Sequence, residues 1–166
     1  MKNWIELSKK EYKNVWDKIY NEFNFKPSIS QFPSFTIPSS YITYDVSIMP
    51  EDLNVIDNLY NELEEKSLIA FQEITQKNEY IYALNWQHAC YWINLNLEFP
   101  RDEDGEWTIP IFPDGDYHFF IQKDFQWGYL GHPWEKTITV FGDELISAVD
   151  KHRPKVFKNV IRKSYI

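Results

Sequence analysis

The sequence predicts an α+β fold: an antiparallel sheet of about five strands, two longer N-terminal helices packed on one face, and a short C-terminal helix. Three observations support this prediction. Two helical apolar stripes lie within the first 75 residues, strand-like runs dominate the later part of the chain, and the turns between those runs are short. Helices followed by strands are typical of α+β domains, and strands joined by short turns pair antiparallel. The chain of 166 residues fits one domain, 1–166.

The first helix is predicted over residues 9–23. Ser8 and Glu11 have the spacing of a capping box, and apolar side chains then recur at intervals of three and four. The second helix is predicted over 51–75, after Pro50, with acidic residues in its first turn. Each helix has one apolar stripe and therefore needs one apolar surface, so we expect both to cover the same face of the sheet.

The strands are predicted from alternating or apolar runs bounded by turn residues. A polar turn at 123–126 joins two of these runs as a hairpin. Asp143 is expected to cap a short helix that runs to about residue 151, and the acid-rich stretch 98–106 is expected to be a solvated loop. The strand candidates are residues 41–48, 79–85, 89–96, 117–123, 127–131 and 136–141.

The charge of the chain is unevenly distributed. The net charge is −8, but all 25 acidic residues lie at or before Asp150, whereas Lys151 onward contains six basic residues and no acid. The body therefore carries −14, from 11 basic and 25 acidic residues, and the tail carries +6. An acidic body argues against nucleic-acid binding and suits a basic protein partner, with plain solubility as the alternative. We expect the basic tail to lie across the acidic body.

The cellular compartment is predicted from three features of the chain. The only cysteine is Cys90, so no disulfide forms within the chain and a reducing compartment is expected. The first 20 residues lack the pattern of a signal peptide, and no apolar stretch is long enough to span a membrane. We therefore predict a cytoplasmic protein that does not associate with membranes.

The densest group of chemically capable residues lies at 113–142. Gly131 frees the backbone and Pro133 restricts it, which predicts a rigid corner between two strands that carries His132, Trp134 and Glu135. A structural corner with Trp134 filling the core is the alternative to a binding site. The chain has 7 Trp, 11 Tyr and 12 Phe, which indicates an aromatic core or an aromatic binding face. The predicted binding residues are His132, Trp134, Glu135, Asp116, His118, Trp86 and His88.

The possible catalytic arrangements in this chain have simpler explanations. Asp116 and His118 share one side of a strand and could meet the corner as metal ligands, but no metal motif supports this and His118 resembles a core histidine. Asp114 and Asp116 flank a glycine, which is also the pattern of an ordinary turn. Cys90 is expected to be buried and unreactive. We therefore predict neither a metal nor a cofactor.

Three motifs in order resemble a bacterial family known as domain-of-unknown-function family 2716. They are Tyr82-Ala83-Leu84-Asn85-Trp86-Gln87-His88-Ala89-Cys90-Tyr91, then Pro113-Asp114-Gly115-Asp116-Tyr117, then Gly131-His132-Pro133-Trp134-Glu135 with Val140-Phe141-Gly142. The resemblance covers residues 79–147 and implies a self-contained cytoplasmic domain, but it brings no activity with it. The chain also looks broadly like small bacterial antitoxins of toxin–immunity pairs.

Two functional classes remain open at this point. The first is a non-enzymatic binding protein, of immunity or antitoxin type, that covers a basic partner with its acidic surface. The second is a small metal-dependent or acid–base hydrolase that uses the histidines and acids of 114–135.

Overall fold

The computed structural model describes residues 1–165 and has an antiparallel sheet of eight strands with three helices. The α+β class is confirmed. The strand order is β1-β4-β3-β5-β6-β7-β2-β8, and every neighbouring pair is antiparallel. The strands are β1 Ile5–Glu6, β2 Tyr41–Asp45, β3 Ile81–Asn85, β4 Tyr91–Ile93, β5 His118–Ile121, β6 Gly128–His132, β7 Thr137–Phe141 and β8 Asn159–Ser164.

The helices begin and end close to their predicted limits. α1 spans Lys9–Glu22, and the capping box between Ser8 and Glu11 is formed. α2 spans Leu53–Ile74, with Asp52 as its N-cap: its carboxylate accepts hydrogen bonds from the amides of Asn54 and Val55. α3 spans Asp143–Lys151, but its N-cap is Gly142 and no side chain caps it, so the predicted capping role of Asp143 was wrong. Among residues 1–165, no helix is long and apolar enough to cross a membrane.

The helices lie on both faces of the sheet, not on one face as predicted. Consecutive strand residues such as Phe119 and Phe120 belong to different apolar clusters, because successive side chains of a strand point to opposite faces. α1 and the following loop pack on the face of Phe119, whereas α2 and α3 pack on the face of Phe120. Every residue of β5, β6 and β7 is buried, so both faces of these central strands require a cover.

The expected number of about five strands was too low because both edge strands were missed. β1 has only two residues, paired with β4. β8 lies in the basic tail and pairs with β2, which places the tail along the edge of the sheet. Most residues of β8 are exposed, and three polar or basic residues follow Ile161. The sequence of β8 therefore lacks the apolar alternation that indicates a strand.

Candidate functional site

The predicted corner is built around a buried histidine. β6 ends at His132, and its side chain has no exposed surface. Its Nδ1 accepts hydrogen bonds from the backbone amides of Trp134 (3.2 Å) and Glu135 (3.1 Å). Because Nδ1 accepts twice, the ring proton lies on Nε2, which donates to Ser34 Oγ at 2.7 Å. His132 is therefore held neutral, and burial lowers its pKa from 6.5 to about 4.

The partners of His132 show that it fastens a loop to the sheet. The Phe32 ring meets the His132 ring edge-on with 4.9 Å between centroids, and the Tyr117 ring lies 4.7 Å away. The Tyr117 hydroxyl accepts a hydrogen bond from the amide of Ser28 at 3.0 Å. His132 and Tyr117 therefore bind the segment 28–34 to the sheet. The His132 side chain is fully buried, so no face of its ring is open to a ligand.

The two other corner residues point in different directions. Trp134 is 53% exposed, so it does not fill the core. Glu135 accepts a hydrogen bond from Thr137 Oγ1 at 2.8 Å and forms an ion pair with Arg162 of β8. Glu135 is thereby engaged in holding the edge strand, which leaves Trp134 as the solvent-facing side chain of this corner.

The remaining predicted residues do not join the corner in one site. His118 and His132 lie on opposite faces of the sheet, and His118 is buried with its Nδ1 3.0 Å from the carbonyl oxygen of Phe112. Burial lowers the pKa of His118. Asp116 Oδ1 lies 3.5 Å from His88 Nε2 in a pair that is open to solvent. The Trp86 indole N–H donates to the Tyr20 hydroxyl at 2.8 Å.

This arrangement does not bring the two histidines of 114–135 together. Its two buried histidines, His118 and His132, are separated by the sheet, and each is satisfied by protein partners. Within residues 1–165, no three His, Cys, Asp or Glu side chains are grouped so that they could hold a metal ion.

A different group of residues forms an acidic groove of about 380 Å³ between α2 and the loop after β4. Its floor contains a stacked pair, Tyr60 and Phe112, with ring centroids 4.6 Å apart. The side chain of Trp107 lines it and is otherwise buried. We call this the acidic groove; its lining residues are Asp57, Tyr60, Asn61, Glu64, Asp104, Gly105, Glu106, Trp107, Pro110, Ile111 and Phe112.

The carboxylates of the acidic groove are only partly neutralised. Arg101 forms an ion pair with Glu64, and within residues 1–165 no ion pair reaches Asp57, Asp104 or Glu106. The pKa of Glu106 is raised, first by burial and then by the charges of neighbouring acids. Burial and nearby aspartates raise the pKa of Tyr60 in the same way. Burial is the larger cause of both shifts, and the neighbouring acids add to it, as expected where carboxylates are close together.

The acidic groove was missed because its parts are distant in sequence. The composition of the acid-rich stretch 98–106 predicts only a solvated loop. Tyr60 belongs to the apolar stripe of a helix and Phe112 precedes a turn, so neither has a local pattern that predicts a stacked pair. The five acids of 98–106 were the signal that could have indicated the region.

A larger hollow of about 710 Å³ lies beside the start of α3, and Gln122 is one of the buried polar side chains that line it. Gln122 accepts hydrogen bonds from the amides of Asp124 and Gln126 and donates to Glu79 at 3.4 Å. These bonds stabilise the turn between β5 and β6, so the Gln122 side chain is satisfied within the protein.

Comparison with known proteins gives a family but no activity. The sequence model of the family described as "Protein of unknown function (DUF2716)" matches residues 6–146. The chain is 40% identical over 162 residues to the uncharacterized protein YxiI of Bacillus subtilis (strain 168), and the match covers 96% of this chain and 99% of that protein. No solved structure matches the chain.

Proposed function

We propose that this chain, which belongs to the DUF2716 family, is a non-enzymatic binding protein. The acidic groove is the binding site, and it takes a basic segment of a partner protein. An immunity-type role, in which the chain covers the basic surface of another protein, is one form of this function.

The stacked pair of Tyr60 and Phe112 among unpaired carboxylates is the observation that carries the proposal. A lysine ammonium or an arginine guanidinium binds to the face of an aromatic ring by the cation–π interaction. The same cation forms charge-assisted hydrogen bonds with a carboxylate such as Asp57 or Glu106. A basic side chain can therefore contact both the aromatic rings and the carboxylates of the groove, whereas the carboxylates would repel an anionic ligand.

The charge of the whole body supports the same partner class. A body charge of −14 attracts a basic protein over distances up to the Debye length, about 8 Å at physiological salt. This attraction raises the rate of encounter, while the groove supplies the local contacts. Binding should therefore weaken as the salt concentration rises.

Fluorescence anisotropy with a labelled peptide of six arginines tests the proposal. The double variant Asp57→Asn/Glu106→Gln removes two charges from the groove, and we expect roughly tenfold weaker binding than with the unaltered protein. The matched control is Glu51→Gln/Glu144→Gln, which removes two exposed acids outside the groove. Equal loss in both double variants would mean that only net charge attracts the peptide, and the groove would be rejected as the site.

The aromatic part of the site is tested separately with Tyr60→Leu. This substitution keeps apolar bulk but removes the ring, so we expect about threefold to fivefold weaker binding of the arginine peptide. Urea unfolding of the variant must show that it remains folded. Unchanged affinity in a folded Tyr60→Leu protein would contradict a site that uses the Tyr60 ring.

A further inference from the structure

β8 leaves one edge of the sheet open. It pairs with β2 on one side, and within residues 1–165 no backbone hydrogen bond from another segment reaches its outer side. The strand has six residues, Asn159–Ser164, and its Val160 and Ile161 side chains are exposed. The other edge ends in β1, which has only two residues. β8 is therefore the edge long enough to receive a further strand.

An apolar hollow lies beside the beginning of β8. Its volume is about 300 Å³, and its apolar lining is Ile48, Met49, Pro50, Leu59 and Val156; Asp45, Lys155, Lys158 and Asn159, the first residue of the strand, also line it. Ile48 is 78% exposed. A strand added along β8 would pass next to this hollow, which can take one of its apolar side chains.

The charges around β8 indicate which kind of strand would pair with it. Among the six basic residues of the tail, Lys151, Arg153 and Arg162 have carboxylate partners. Within residues 1–165, no ion pair reaches the Lys155, Lys158 or Lys163 ammonium groups. Lysines on an edge strand ordinarily prevent pairing with another strand, because two such edges repel each other. The same lysines would attract the carboxylates of an acidic strand.

We propose that β8 binds an extended acidic segment of a partner protein as a ninth strand. Backbone hydrogen bonds hold the segment along β8, its acidic side chains meet Lys158 and Lys163, and an apolar side chain enters the hollow beside Ile48. A second copy of this chain does not fit the edge, since two β8 strands would bring their lysines together. This site is separate from the acidic groove and stands independently of it.

Anisotropy with a labelled nonapeptide of alternating valine and glutamate tests the inference. We expect saturable binding by the unaltered chain and at least tenfold weaker binding by Lys158→Glu/Lys163→Glu. The control Lys9→Glu/Lys10→Glu makes the same charge change on exposed lysines of α1, beside the opposite edge, and should bind as the unaltered chain does. The corresponding valine–lysine peptide should not bind. Ile48→Ser, at an exposed position, should weaken binding about threefold.

Hydrogen exchange locates the peptide on the chain. The expected result is slower exchange of the amides of residues 159–164 when the valine–glutamate peptide is present. Absence of saturable binding up to about 1 mM, or equal loss of affinity in the α1 control, would overturn the proposal. Dimerisation of the chain alone with protection of the same amides would overturn it too, because a second copy would then occupy the edge.

Discussion

His132 and Ser34 are joined by a hydrogen bond of 2.7 Å although 98 residues separate them in the chain. Both side chains are buried, on the face of the sheet that α1 covers. The bond ties the loop before β2 to the end of β6, where the sequence had predicted a binding corner. A residue expected to contact a ligand thus contributes to the stability of the fold.

Replacing Ser34 by alanine should destabilise the protein. The substitution leaves the His132 Nε2–H in the interior with only the Tyr117 hydroxyl at 3.4 Å, so we expect a loss of about 1 to 3 kcal/mol in the free energy of unfolding. Urea denaturation measures it. Ser30→Ala makes the same chemical change at an exposed position of the same loop and should cost less than about 0.5 kcal/mol. Equal stability of the two variants would contradict the role assigned to the hydrogen bond.

The stability of the protein should fall as the pH decreases from 6.5 to 4. Burial lowers the pKa of His132 to about 4, so between these pH values the unfolded chain binds a proton that the folded protein does not. The stabilisation is fully present above pH 6.5 and is lost as the pH falls towards 4, by about 2 to 3 kcal/mol for this group. The pKa of His118 is also lowered by burial, so His118 contributes in the same direction.

Urea denaturation at several pH values between 4 and 7 measures this dependence. His132→Gln should be less stable at neutral pH and should lose a smaller further amount on acidification. His88→Gln, at an exposed histidine, should retain the slope of the unaltered protein. An unchanged slope in a folded His132→Gln protein would show that other groups cause the pH dependence.

Trp134→Ala should leave the fold almost unaffected. Trp134 is 53% exposed, so we expect a change of less than about 0.5 kcal/mol in the free energy of unfolding. Trp127→Ala is the matched comparison, because Trp127 is buried against Phe71 in the core; its loss should cost about 3 to 5 kcal/mol. Chemical denaturation distinguishes the two. A large loss with Trp134→Ala would mean that the corner supports the core through this side chain.

Cys90 should react slowly with a thiol reagent in the folded protein. It is buried, and burial raises the pKa of its thiol, so little thiolate is present or accessible at neutral pH. As Cys90 is the only cysteine, one chromogenic thiol assay reports on it alone. We expect the native protein to react at least about a hundredfold more slowly than the urea-denatured chain, because reaction requires opening of the structure. Equal rates would show that the thiol is accessible in the native state.

The sequence by itself determined the elements that depend on neighbouring residues. The Ser8 and Glu11 cap acts within one helical turn, and the apolar stripes of α1 and α2 are periodic along the chain, so both helices were predicted within a few residues. The central strands were predicted for the same reason, since their apolar and β-branched residues are contiguous. The antiparallel pairing followed from the short turns between them.

Only the tertiary structure decided which face each element covers and what each polar side chain meets. The strand β8 exists because β2 offers it an edge, and α1 lies opposite α2 because the central strands are apolar on both sides. The role of His132 depends on Ser34, and the acidic groove depends on Tyr60 meeting Phe112. These pairs are far apart in sequence, and their contacts arise from the path of the whole chain, which no local pattern of residues encodes.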